Sequence, residues 1–238
     1  MKRLILALDV DDPEYALEVV DRFKDNVDIF KVGLELFGAG GPQVVRDIHD
    51  RGVKVFLDLK FHDIPETVAK AAAGAARLGV YMFNMHVSSG FEAMKRCRER
   101  VVEVCLKENL TRPIILGVTV LTSLDDHELK QEFCIGHGLH THVRHLAKYA
   151  QKAGLDGVVS SAHEADTIRK NCGEGFVIVT PGIRPSWSAP DDQKRTMTPK
   201  KAIGQGADYL VMGRSILNQS DPQGALDLIN VEILSALS

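Results

Sequence analysis

Apolar and β-branched residues gather in short runs along the whole chain, at positions 4–9, 28–33, 54–60, 81–86, 114–120, 157–160, 176–180 and 209–213. Runs of this length suit buried strands. Between them lie stretches with apolar residues at helical spacing: 13–24, 41–51, 64–78, 90–107, 140–153, 162–172, 198–206 and 222–234. Asp12-Pro13 and Thr198-Pro199 are start signals, with proline at an early helical position. Arg51-Gly52, Leu78-Gly79 and Ala153-Gly154 are stop signals. Strand–helix alternation predicts parallel strands joined by crossover helices. Eight such units in 238 residues match the count and size of a (β/α)8 TIM barrel, an α/β fold. A doubly wound sheet would usually place a glycine-rich turn after its first strand, and Asp9-Val10-Asp11-Asp12 is not one. With no linker, charge block or low-complexity segment, residues 1–238 read as a single (β/α)8-barrel domain. Segments 121–139 and 181–197 show no clear strand pattern.

Composition narrows the function. At 45% hydrophobic the chain can fill a core, which excludes disorder as its main state. With 29 Lys+Arg against 32 Asp+Glu the formal charge is −3, which argues against nucleic-acid binding. No apolar run approaches the roughly 18 residues of a membrane-spanning helix. Residues 1–8 begin like a signal peptide, but Asp9, Asp11 and Asp12 cut the apolar run short, so a buried first strand is expected. Cys97, Cys105, Cys134 and Cys172 show no CxxC spacing, and four unpaired thiols suit a cytoplasmic setting.

In a barrel, chemistry belongs at the carboxyl ends of the strands. The third strand points there, reading Lys54-Val55-Phe56-Leu57-Asp58-Leu59-Lys60-Phe61-His62-Asp63-Ile64-Pro65-Glu66-Thr67. Side chains alternate faces along a strand. Val55, Leu57 and Leu59 then lie under the helices, while Phe56, Asp58 and Lys60 point inward. A buried ion pair is a weak stability device, because desolvation offsets its attraction. Lys60, a cation between Asp58 and Asp63, has the character of a group that hands a proton to a developing carbanion. Asp9 ends the first strand in phase with Ile5 and Ala7, and Lys31 lies in phase with Ile29 and Gly33 while Phe30 and Val32 face the helices. Alone, either charge reads as a surface residue; together they extend the pair into an alternating Lys/Asp array.

Two further segments suit an anionic ligand. Gly213-Arg214-Ser215 follows the eighth strand, where glycine permits close approach and arginine can grip a phosphate in bidentate fashion. An ordinary turn would read the same way. After the seventh strand, Pro181-Gly182-Ile183-Arg184-Pro185 leads into a polar, proline-punctuated loop through Gln193 and Arg195, a candidate lid or a plain surface loop.

The run Asp58-Leu59-Lys60-Phe61-His62-Asp63-Ile64-Pro65-Glu66-Thr67 resembles the DxKxxDIPxT signature of the orotidine 5′-phosphate decarboxylases. The similarity extends over nearly the whole chain, through "LALD" ending in Asp9, "FKVG" with Lys31, "VTVLTS" with Thr122, "TPGIRP" with Arg184 and "VMGRSI" with Gly213 and Arg214. The length matches the single-function form of that family. The resemblance implies decarboxylation of orotidine 5′-phosphate to uridine 5′-phosphate and carbon dioxide, without metal or other cofactor. It implies catalytic roles for Lys60, Asp58, Asp63 and Lys31, with Lys60 protonating the ring carbanion. It implies substrate contacts from Asp9, Ile64, Thr67 and Thr122, the last near the base. Arg184, Gly213 and Arg214 would hold the phosphate end, with Gln193 bridging phosphate and pyrimidine. It also implies a homodimer in which Asp63 and Thr67 reach the partner's site.

A Mg²⁺-dependent sugar-phosphate decarboxylase or aldolase of the same superfamily is the nearest alternative. Those relatives hold the metal partly with a glutamate at the end of the second strand, a region where this chain offers Lys31. A barrel that binds nucleotides without catalysis is the other. His137, His140, His142 and His145 crowd one stretch, but no carboxylate or cysteine stands at a ligand spacing beside them.

Overall fold

In the computed structural model, which describes residues 3–187 and 195–236, parallel strands close on themselves in sequence order, β1 to β8. The strands are β1 (Leu4–Leu8), β2 (Ile29–Gly33), β3 (Lys54–Phe61), β4 (Met82–His86), β5 (Ile114–Val118), β6 (Gly157–Val159), β7 (Val177–Thr180) and β8 (Tyr209–Met212). Closure comes from β1, which pairs with β2 on one side (Ile5 opposite Ile29) and with β8 on the other (Ile5 opposite Val211). The helices are α1 (Pro13–Phe23), α2 (Leu34–His49), α3 (Pro65–Arg77), α4 (Phe91–Glu108), α5 (Asp126–Gln131), α6 (Leu139–Lys152), α7 (Ala162–Cys172), α8 (Pro199–Gly204), α9 (Arg214–Leu217) and α10 (Pro222–Ser235).

The alternation of side chains sorts the core into two shells. Ile5, Ala7, Ile29, Phe56, Met82, Leu116, Val118, Val159, Val179 and Val211 fill the barrel interior. Leu4, Leu6, Leu8, Phe30, Val32, Val55 and Leu57 pack outward against the helices. The amino-terminal mouth is plugged by Tyr81 and Tyr209, whose hydroxyls meet at 3.2 Å. With that end closed and the interior packed, the barrel axis opens toward the carboxyl ends of the strands, where a cleft forms.

The local signals hold. Asp12 caps α1, its carboxylate accepting the Glu14 and Tyr15 N–H groups ahead of Pro13. Gly79 and Gly154 take positive φ beyond α3 and α6, a conformation that costs glycine little. One element expectation is corrected, and one segment gains an element the sequence reading did not name. The second helix starts at Leu34 rather than 41, because it begins directly after β2 and is only broken by Gly41, whose φ is +58° ahead of Pro42. Segment 121–139 contains α5, begun by a reciprocal capping box: Glu128 N–H donates to the Asp125 side chain and Asp125 N–H to the Glu128 side chain.

All the cysteines are free; Cys97 and Cys105 are buried on α4, and burial pushes the Cys97 thiol up to about 12. Among the described residues no helix is long and apolar enough to cross a membrane.

Candidate active site

A cleft of about 370 Å³ opens at the carboxyl ends of the strands, and its lining includes Asp9, Lys31, Asp58, Lys60, Thr122, Arg184, Gly213 and Arg214. These residues come from β2 and β3 and from the segments directly after β1, β5, β7 and β8. Barrel closure is what joins them, because their separations in sequence reach two hundred residues.

The floor is a chain of alternating charges. Lys31 Nζ donates to Asp9 Oδ1 at 2.6 Å and lies 3.5 Å from Asp58 Oδ2. Lys60 Nζ stands 2.8 Å from Asp58 Oδ1. Lys31 and Asp58 are buried, at 7% and 9% exposure, so water screens the centre of the chain poorly. Lys60 is more open, and its ammonium is the group presented to the cleft. The carboxylate of Asp58 thus sits between two ammonium groups.

Lys60 reaches this position through a bulge and not through a regular pleat. On β3 the step from Leu57 to Phe61 corresponds on β4 to the step from Phe83 to Met85, so the ladder slips between them. Within the slip Lys60 adopts φ +51°, the left-handed region. That conformation costs a non-glycine residue about 1–2 kcal/mol and is held by surrounding contacts. One of them was not foreseen. Asn84, fully buried on β4, accepts the Lys60 N–H at 2.8 Å and donates from Nδ2 to Asp58 Oδ1 at 2.6 Å. A sequence signal existed: Asn84 is in phase with Met82, a polar side chain at an inward position of an otherwise apolar strand.

His86, at the end of β4, faces His62 with ring centroids 5.0 Å apart. Burial pushes His86 down, and the neighbouring His62 and Lys60 push it further, against the pull of Asp58.

The other side of the cleft carries the guanidinium groups. Arg184 follows β7 and Arg214 opens α9 after β8, so they lie four and three strands round the barrel from β3. Gly213 also has a packing role, since a Cβ there would come 3.1 Å from Ala7 Cβ and 3.2 Å from Ala7 O. The foot of the loop after β7 is stapled: Arg184 N–H donates to Met197 O at 2.9 Å, and Ile183 and Met197 form a bridge. Gln193 lies outside the described residues.

Asp63, Ile64 and Thr67 do not enter the cleft of their own chain. All three are exposed, at the end of β3 and the first turn of α3. Asp63 Oδ1 accepts the Ile64 N–H at 2.6 Å, and Ile64 is 67% exposed. The histidine stretch divides: His137 Nε2 meets His142 Nδ1 at 3.1 Å, whereas His140 Nδ1 turns to Glu164 at 3.3 Å.

Comparison with known proteins adds to this geometry. The chain is 47% identical to a protein of Shewanella sediminis named orotidine 5′-phosphate decarboxylase, over 96% of each chain. It is 49% identical to one of the same name from Syntrophotalea carbinolica, over 99% of this chain and 96% of that protein. Among solved structures, orotidine 5′-phosphate decarboxylase from Lactobacillus acidophilus superimposes with a TM-score of 0.83 at 34% identity, covering 98% of this chain and 99% of that one. The enzyme of that name from Pyrococcus horikoshii OT3 shares the fold, with a TM-score of 0.76 at 24% identity over 97% of this chain and 99% of that one. A family model described as orotidine 5′-phosphate decarboxylase / HUMPS matches residues 2–229, and with the Lys/Asp array and the paired arginines at one barrel mouth, the chain belongs to that family.

Proposed function

We propose that this protein decarboxylates orotidine 5′-phosphate to uridine 5′-phosphate and carbon dioxide, with no metal or cofactor. The 2.8 Å contact of Lys60 Nζ with Asp58 Oδ1 inside the cleft carries the reading. Arg184 and Arg214 bind the phosphate, Thr122 lies by the base, and Gln193 bridges the two ends from the loop. The substrate carboxylate then faces Asp58. Two like charges 4 Å apart at an effective dielectric of 20 repel by about 4 kcal/mol. At 1.36 kcal/mol per decade this stress supplies about three decades of rate at most. The larger share comes from Lys60. As the ring-to-carboxylate bond breaks, carbon dioxide leaves and the electron pair stays on the ring carbon. The ammonium stabilises that pair and then transfers a proton to it, and the neutral amine regains a proton from water. Lys31 holds Asp58 and Asp9 in place for this step.

The reading includes a homodimer in the cytoplasm. Free cysteines fit a reducing compartment, and exposed Asp63, Ile64 and Thr67 fit a rim that reaches into a partner's cleft.

The test is release of carbon dioxide from orotidine 5′-phosphate, with and without chelator. Turnover that persists in chelator is expected. Turnover of a sugar phosphate that needs Mg²⁺, with none of orotidine 5′-phosphate, would overturn the proposal. Lys60→Ala should abolish turnover, by at least about four decades, while the protein stays folded. A well-folded Lys60→Ala protein with substantial activity removes Lys60 from the role.

A further inference from the structure

Asn84 has both ends of its amide committed to the two residues that carry the chemistry. Its Oδ1 accepts the backbone N–H of Lys60 at 2.8 Å, and its Nδ2 donates to Asp58 Oδ1 at 2.6 Å. The amide cannot be turned over, because that would set N–H against N–H and oxygen against carboxylate oxygen. Asp58 Oδ1 is the same atom that meets Lys60 Nζ. One oxygen therefore receives the Asn84 amide and the Lys60 ammonium, and Asp58 Oδ2 is left toward Lys31. Lys60 stands at φ +51° within the slipped part of the β3–β4 ladder, so its N–H is offered to a side chain. Asn84 is fully buried, and water does not substitute for either bond.

We infer that Asn84 is a positioning residue for the decarboxylation: its buried amide locks the bulge that aims Lys60 into the cleft and fixes the carboxylate of Asp58 beside it. Asn84 is not among the residues that line the cleft, and the inference rests on the proposed reaction only for its kinetic readout. Misplacing a reacting group by about 1 Å costs on the order of a hundredfold in rate. Binding of the phosphate end, on the far side of the barrel, is untouched.

Asn84→Ala removes both bonds. Asn84→Asp keeps shape and the acceptor for Lys60 N–H, but replaces the donor to Asp58 with an oxygen. Both variants should lose roughly a hundredfold in kcat, while KM and the affinity for uridine 5′-phosphate stay within about threefold. In a crystal structure of Asn84→Ala, Lys60 should leave positive φ and its ammonium should part from Asp58. This structural readout stands even if wild-type protein fails to turn over orotidine 5′-phosphate, a failure that would count against the reaction alone. The inference is overturned by a folded Asn84→Ala protein with kcat near wild type. A structure of that variant with Lys60 unmoved also overturns it, as does loss of product affinity in parallel with kcat. If neither variant folds, the amide serves stability and the inference fails as well.

Discussion

His86 shows how the active site sets the behaviour of single side chains. Its imidazole is depressed below the ordinary 6.5 by burial first, and then by the neighbouring His62 and Lys60. The unfolded chain therefore takes up this proton at a higher pH than the folded one does. The stability His86 contributes is present above about pH 6.5 and is lost as pH falls through its lower, folded value. Urea unfolding at pH 7 and pH 5 should thus show wild-type protein losing more stability on acidification than His86→Asn. An equal loss in both would mean that folding does not depress the His86 imidazole. At this scale the sequence revealed which residues carry charge into the barrel, but not that Lys60 sits at φ +51°. Its backbone is set by a side chain twenty-four positions away, and no local spacing encodes that bond.

Between elements, one buried ion pair ties the loop after β7 to the helices beside it. Glu164 on α7 is 1% exposed, and burial raises it; the Arg195 guanidinium, bonded to its Oε1, and the nearby His140 of α6 oppose that rise. Removing one partner of such a pair leaves a buried charge uncompensated, at a cost of about 3 kcal/mol. Arg195→Ala should therefore lower stability by about that amount at pH 8 and by less at pH 5, where the carboxyl can take up a proton. The double variant Arg195→Ala with Glu164→Gln should recover much of the loss. Chemical denaturation checks both, and an Arg195→Ala protein as stable as wild type would show that the pair carries no net stability. This contact was hidden in the sequence because Glu164 reads as an ordinary helix residue until α7 is packed. The same holds for the slipped β3–β4 ladder. By contrast the start of α5 carried a local signal that the sequence reading passed over: Asp125 and Glu128 stand at capping-box spacing, within four residues.

For the whole molecule, the open question is how the cleft is completed. Asp63 and Thr67 carry catalytic and binding roles in the proposed reaction, yet each is exposed and outside the cleft of its own chain. In a two-fold dimer the same rim of each subunit contacts the other, so one subunit can supply these residues to its partner. Lys60→Ala and Asp63→Ala proteins should each be inactive alone. After subunit exchange, half of the dimers are mixed and each holds one intact site, so activity should recover to roughly a quarter of wild type. Verified mixed dimers without activity would place both residues in one subunit's site.

The sequence by itself determined the barrel, the faces of its strands and the charged residues at their carboxyl ends. Period-two and helical spacing are local properties, and they select which side chains meet water, helices or interior before any long-range contact forms. Only the tertiary structure decided the bulge at Lys60, the clamp from Asn84 and the Glu164–Arg195 pair. Each depends on hydrogen-bonding groups from different strands or helices arriving within about 3 Å, a distance that exists only once the sheet has closed.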